Sequence, residues 1–332
     1  MSDHKDHSAG HLNRREFLRR SVAGGAALAG ACAWAETDTK TGPLPMRVLG
    51  RTGEKVTILG LGTAPIGEGP VEKKEAVRIF GEGMDRGVNY IDTARIYGNA
   101  EEALGELIPK RRDDLFVVTK VWTDSGREAE EILSTSLRKL NTDYVDLCHI
   151  HHVGGKNVDQ VLSKDGVLPY LLKQKEKGKV RFIGVSGHCR PDRFVRVIKT
   201  GEIDVVMPVM NYADRNIYNF EGTVLPECRK RNLGVVAMKV YAGIEGGFPF
   251  HKKGYVGCAT PKEKLPRAMA YALDLPGVHV ANIGPYTTDE AIENVEFART
   301  YTPLTDSEKE ELLAYGEELA PDLGARYGPV SD

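Results

Sequence analysis

Four side chains able to move a proton or stabilise a charge stand where apolar segments of this chain stop. Asp92 closes Tyr90-Ile91, inside the stretch NYIDTARIYGNAE, and Tyr97 follows in the same stretch. Lys120 caps Leu115-Phe116-Val117-Val118-Thr119, and His151 ends Asp146-Leu147-Cys148-His149-Ile150. A phenol has an unperturbed pKa of about 10 and is a poor acid or base near neutrality. An adjacent ammonium favours the phenolate, and a carboxylate beside that ammonium keeps it charged and oriented. Asp92, Lys120 and Tyr97 therefore make a workable acid/base set, with His151 placed to orient a reacting oxygen. Taken singly, each residue also has a purely structural reading: Asp92 as a helix cap, Lys120 as a solvated strand end, His151 as a satisfied polar group, Tyr97 as loop packing.

The elements that would carry these residues repeat along the chain. Met46–Leu49 and Val56–Leu59, split by Gly50-Arg51-Thr52-Gly53, read as a β-hairpin. Apolar strand candidates follow at Thr57–Leu61, Tyr90–Thr93, Leu115–Thr119, Val145–Ile150, Phe182–Ser186, Val205–Val209, Val235–Lys239 and His279–Gly284. Helical patterns lie between them, among them Ala129–Leu140, Leu168–Lys177, Glu221–Arg231, Leu265–Leu273 and Asp289–Ala298. Such alternation implies parallel strands buried on both faces. With 41% hydrophobic and 28% charged residues and a net charge of −2, the 332-residue chain has an ordinary globular composition. Beyond the first twenty residues there is no basic tract, which argues against nucleic acid as a partner. No run approaches the roughly 20 apolar residues of a spanning helix.

The passage Asp92-Thr93-Ala94…Tyr97-Gly98 resembles a motif of the aldo-keto reductases, and Lys120 and His151 complete a match to that family's tetrad. The resemblance runs from about Arg47 to Asn294. It includes Trp122 two residues beyond the lysine, the segment Gly178–Ser186 as the fifth-strand motif, and Pro276-Gly277 with Glu293-Asn294 in the last cofactor segment. Together with the length it favours a closed (β/α)8 TIM barrel over an open doubly wound sheet. That barrel would be a single domain over residues 46–332, with the short hairpin before it and an extra helix after it. A barrel of this kind gathers its chemistry at the C-terminal strand ends, where all four residues stand.

The resemblance implies an oxidoreductase that interconverts a carbonyl and an alcohol with NADP(H) or NAD(H), Tyr97 being the general acid/base. It places Gly62, Thr63 and Ser186 near the nicotinamide and Met207 by its carboxamide. Met238, Lys239, Tyr241 and Gly243 would face nicotinamide and pyrophosphate, Gly284 and Thr287 the ribose end, and Glu293 and Asn294 the adenine. Where many members hold a 2′-phosphate this chain has Gly284, Pro285 and Glu290, so the choice between the two dinucleotides stays open. Trp122 and His152 are the candidate substrate contacts, and no metal is expected. Two other readings are a cofactor-binding sensor or subunit with little turnover, and a barrel metallohydrolase using His149 and His151, which share one strand face.

The N-terminus reads as an address. Asn13-Arg14-Arg15-Glu16-Phe17-Leu18-Arg19 matches the twin-arginine export consensus. A weakly apolar run from Val22 to Ala31 and a small-residue cleavage pattern, Ala33-Trp34-Ala35, follow. Residues 1–35 are thus expected to be a signal peptide, handled by the twin-arginine machinery and removed, leaving a periplasmic or exported protein that does not span the membrane. Leu28–Cys32 has one residue too many for a lipobox, which ranks lipoprotein anchoring at Cys32 below cleavage. Cys148, Cys189, Cys228 and Cys258 form no CxxC pair, and a core of this size needs no disulfide.

Overall fold

The computed structural model describes residues 42–69, 71–243 and 257–332. The expected export segment with Cys32, and most of the Gly243–Gly257 loop, lie outside the described residues. At the start, Met46–Val48 (β1) pairs antiparallel with Lys55–Thr57 (β2), as the hairpin reading requires. The turn between them ends at Gly53, whose φ of 74° suits glycine.

Eight parallel strands then close into a barrel: Leu59–Gly62 (β3), Tyr90–Asp92 (β4), Phe116–Val121 (β5), Val145–Ile150 (β6), Val180–Gly187 (β7), Val205–Pro208 (β8), Gly234–Met238 (β9) and Val280–Ile283 (β10). Each pairs with the next, and β10 returns to β3 with Asn282 opposite Gly60. All six residues of β5 and of β6 are buried, the continuous apolar signature of strands covered on both faces. Inside the barrel, register sets Lys120 beside His149 and His149 beside Gly184. A Cβ on Gly184 would lie 2.3 Å from His149 Nδ1, so only glycine leaves room for that imidazole. Gly60 plays the same part for Asn282, whose Oδ1 would lie 2.9 Å from an added Cβ.

Helices wrap the outside. Gly126–Leu140 buries Ala129, Leu133, Leu137 and Leu140, an apolar stripe at helical spacing, and Asn141 ends it in the left-handed conformation. Burying a leucine of that stripe stabilises by roughly 1.5–3 kcal/mol, and Leu133→Ala would cost about 2–5 kcal/mol. The pattern read as one helix over Glu221–Arg231 is two pieces, Phe220–Thr223 and Leu225–Lys230. Pro226 is the reason: it lacks an N–H and clashes with the preceding turn, so it is accommodated in the first turn of a new helix. The expected additional helix is Asp306–Leu323, opened by a reciprocal capping box between Thr305 and Glu308.

Candidate active site

The C-terminal strand ends and their loops surround a cavity of about 410 Å3. Asp92 is the last residue of β4, Lys120 the penultimate residue of β5, and His151 follows β6 directly. Lys120 is 2% exposed; its Nζ lies 2.7 Å from Asp92 Oδ1 and donates to the Thr93 carbonyl at 2.8 Å. The same ammonium sits 4.8 Å from the centre of the Tyr97 ring. Tyr97 Oη is 3.4 Å from His151 Nε2, and the two rings meet edge to face. Phenol, ammonium, carboxylate and imidazole are thus contiguous.

Local structure explains why Tyr97 points there. Its N–H donates to the Ala94 carbonyl at 3.0 Å, forming a turn, and Gly98 continues it with φ 45°. Arg95 pairs with the fully buried Glu101, which also accepts from Thr119 Oγ1 at 2.8 Å, pinning the loop to β5. A Cβ on Gly67 would lie 2.3 Å from the Tyr97 carbonyl oxygen, so glycine lets the two loops touch.

Electrostatics follow from burial. It pushes the Asp92 carboxyl up from its ordinary value, while the Lys120 ammonium and the Asn282 amide draw it partly back. Burial, reinforced by Lys120, holds His151 well below the usual imidazole value, so this ring is uncharged near neutrality. His149 is depressed for the same two reasons, and it fills the barrel interior. Among the described residues, no three His, Cys, Asp or Glu side chains are placed to hold a metal ion. Cys148, Cys189 and Cys228 are buried free thiols, and Cys258 is a half-buried one.

Of the sequence-predicted residues, Gly62, Asp92, Tyr97, Met207, Met238 and Lys239 line the cavity. So do Tyr241, Gly243, Gly284, Glu293 and Asn294. Tyr241 donates from its hydroxyl to Asn294 Oδ1 at 2.7 Å, and Lys262 pairs with Glu293 at 3.2 Å. Lys120 and His151 stand behind Asp92 and Tyr97 rather than on the cavity wall. Ser186, at the end of β7, is buried with no partner for its hydroxyl among the described residues. Thr63 and Thr287 are not on the wall. Thr63 Oγ1 donates to the Asp92 carbonyl at 3.0 Å, and Thr287 caps the helix Thr288–Arg299. Trp122 stacks on His152, centroids 5.2 Å apart, and meets His151 edge-on at 4.8 Å, forming a rim outside the tetrad. His152, Lys239 and Ala242 all have positive φ, concentrating strained non-glycine backbone in the strand-end loops.

Several wall residues were not singled out from the sequence as cofactor or substrate contacts, Asn282, His188 and Tyr286 among them. Asn282 donates from Nδ2 to Asp92 Oδ2 at 3.0 Å, and its Oδ1 is buried without a partner among the described residues. The signal existed: Asn282 is the polar interruption of an apolar strand, as Asp92 and Lys120 are. His188, just past β7, lies on the wall with its Nδ1 3.4 Å from that of His152. Tyr286 lies on the loop after β10. The C-terminal tail also contributes. Arg326 spans both carboxylate oxygens of Asp214 at 2.9 and 2.8 Å and donates to the Ala242 carbonyl at 3.0 Å. This brings the Tyr327 ring 5.2 Å from His188.

Polar and titratable groups converging at the C-terminal face of a closed parallel barrel define an enzyme site. The comparisons agree. Residues 58–253 match the family model described as "Aldo/keto reductase family". The chain is 29% identical to L-galactose dehydrogenase of Arabidopsis thaliana over 320 residues, covering 87% of this chain and 96% of that one. It also resembles the holo form of an aldo-keto reductase from Bacillus halodurans, at 26% identity and TM-score 0.66, over 82% of this chain and 96% of that one. An aldo-keto reductase from Klebsiella pneumoniae, solved in complex with NADPH, has the same fold: TM-score 0.65 at 23% identity, over 81% and 94% of the two chains. The chain belongs to the aldo/keto reductase family. It is an NAD(P)H-dependent oxidoreductase.

Proposed function

We propose that this protein interconverts a carbonyl and an alcohol, with Tyr97 as the general acid/base and Asp92, Lys120 and His151 supporting it. The observation that carries the reading is the buried Lys120 ammonium, held by Asp92 at 2.7 Å and set 4.8 Å from the Tyr97 ring. The residues present fit a nicotinamide dinucleotide. The cavity draws its wall from several strand ends; Asn282 Oδ1, on that wall, and Ser186 Oγ, next to the wall residue Met207 in the barrel, are buried polar atoms without partners among the described residues. Met207 and Met238 offer apolar contact, and Lys239 offers charge to a pyrophosphate. The bound group would supply or accept the hydride. Tyr97 gives its proton to the carbonyl oxygen in one direction and takes it back in the other. Lys120 favours the phenolate that remains, and Asp92 keeps the lysine charged. His151, uncharged, orients the oxygen by a hydrogen bond. Trp122 and His152 would contact the substrate.

The test is a panel of aldehydes, ketones, sugars and polyols assayed with NADH and NADPH. The likeness to L-galactose dehydrogenase puts sugars first. Turnover with at least one member is expected. Binding of a dinucleotide with no hydride transfer to any member would reject catalysis in favour of a sensor or subunit.

The motif at Asn13–Arg19 supports a further part of the reading: residues 1–35 form a twin-arginine signal ahead of one barrel domain, and the mature protein works outside the cytoplasm. No supply of reduced dinucleotide is expected there. The enzyme would then keep its dinucleotide bound and alternate between an alcohol and a carbonyl in one pocket. Denaturing the mature periplasmic protein should release close to one equivalent of dinucleotide per chain. Well under one equivalent, with micromolar dissociation on titration, would reject retention.

A further inference from the structure

The cavity wall carries two chemically different groups of residues. Tyr97 and Asp92 mark the reacting group, so the nicotinamide belongs there, and an extended dinucleotide must place its adenosine half at the other. Tyr286, Lys262 and the first turns of the helix Thr288–Arg299 form the part of the wall where the resemblance puts that half. NADP(H) differs from NAD(H) by one phosphate on the ribose of that half, a group close to dianionic at neutral pH.

Two carboxylates face it. Glu290 and Glu293 both line the cavity, three residues apart and therefore on one face of the helix. A helix N-terminus is ordinarily an anion site, because its first N–H groups lack partners. Here this chain's own side chains take up part of that capacity and the N–H just ahead of it. Thr287 Oγ1 accepts from the Glu290 N–H at 3.1 Å, and a Glu290 carboxylate oxygen accepts from the Tyr286 N–H at 2.6 Å. A phosphate arriving at the Tyr286 N–H would have to displace that carboxylate, beside a second one. The cations on the wall, among the described residues, are Lys239 and Lys262. Lys262 pairs with Glu293 at 3.2 Å and is 79% exposed. Lys239 follows β9, within electrostatic reach of His188. A ribose diol, by contrast, donates hydrogen bonds, and carboxylates accept them.

Building on the proposed dinucleotide site, we infer that this cavity selects NAD(H) over NADP(H), with Glu290 and Glu293 as the discriminating residues. The test is equilibrium titration of the full chain with NADH and with NADPH, read by quenching of intrinsic fluorescence, at low and at 0.5 M salt. NADH should bind at least tenfold tighter at low salt. The gap should narrow at high salt, since repulsion of this kind is screened. Glu293→Gln, which removes a charge without touching the Tyr286 N–H, should narrow it at low salt, and Glu290→Gln should do so further. Equal or tighter binding of NADPH overturns the preference and leaves the dinucleotide site standing. Binding of neither overturns both. A preference for NADH unchanged in both variants overturns the assignment to these carboxylates.

Discussion

Replacing Lys120 by methionine separates what this lysine does for stability from what it does for catalysis. The side chain is 2% exposed, Asp92 is 3% exposed, and 2.7 Å separates their charges. Removing one partner of a buried ion pair costs about 3–5 kcal/mol, because the other charge is left without compensation. Asp92 can escape part of that cost by protonating. Burial already raises its carboxyl above the ordinary value, and Lys120 is the largest influence opposing that rise. In Lys120→Met the raised folded-state value moves higher still. A carboxyl raised on folding contributes stability below its unfolded value, and that stability is lost as pH rises through the folded value. The variant should therefore be more stable at mildly acid pH than at neutral pH, as measured by urea unfolding across that range.

Adding Asp92→Asn should restore most of the lost stability, since no buried charge then remains unpaired. Activity should not return. Taking the 4.8 Å to the Tyr97 ring centre as the charge separation, an ammonium favours a phenolate by roughly 3.5 kcal/mol at an effective dielectric of about 20, or a few hundredfold. Both variants should show a kcat lowered on that order, with the basic limb of the pH–rate profile displaced upward. A Lys120→Met protein that loses under about 1 kcal/mol, or a double variant no more stable than the single, would refute the ion-pair reasoning. An unchanged pH–rate profile would refute the role toward Tyr97.

Tyr97→Phe should lower kcat by ~10²–10⁴-fold, the usual size of acid/base catalysis, with dinucleotide affinity unchanged by titration. Asn282→Ala removes a hydrogen bond to a carboxylate, worth about 1.5–3 kcal/mol, and should lower the urea midpoint while moving the acid limb of the pH–rate profile upward. Arg326→Met leaves the buried Asp214 carboxylate without its cation, with the Asn211 amide still donating to it at 2.7 Å, so unfolding free energy should fall by about 3–5 kcal/mol; a loss below about 1 kcal/mol would show that the tail is not anchored there.

What the sequence made legible, and what it hid, divides along a physical line. Asp92, Lys120 and His151 could be found because each ends an apolar run, and a barrel assigns strand ends a common face. That Lys120 and His149 pair in register is seen only in the structure, since periodicity within one strand does not fix its register with the next. The strand-end rule applies to Asn282 too, but a polar residue inside an apolar run can equally be a core group. Its contact with Asp92 spans 190 positions, which only closure of β10 onto β3 creates. The wall beside His188 is hidden more deeply. It depends on Arg326 meeting Asp214 across 112 positions, with no spacing or motif to announce it.

Glu290 marks a middle case. Its position by the adenosine half was legible from the resemblance, and so was the conflict of its charge with a phosphate. Whether that carboxylate faces the ligand or serves the fold was not, because both are open to a glutamate in the first turn of a helix. The contact with the Tyr286 N–H shows that it serves the fold in this structure. The two roles then reinforce each other. A carboxylate already bound to the Tyr286 N–H does not leave without breaking a charge-assisted hydrogen bond, so a competing anion is refused there by the same interaction that holds the loop after β10.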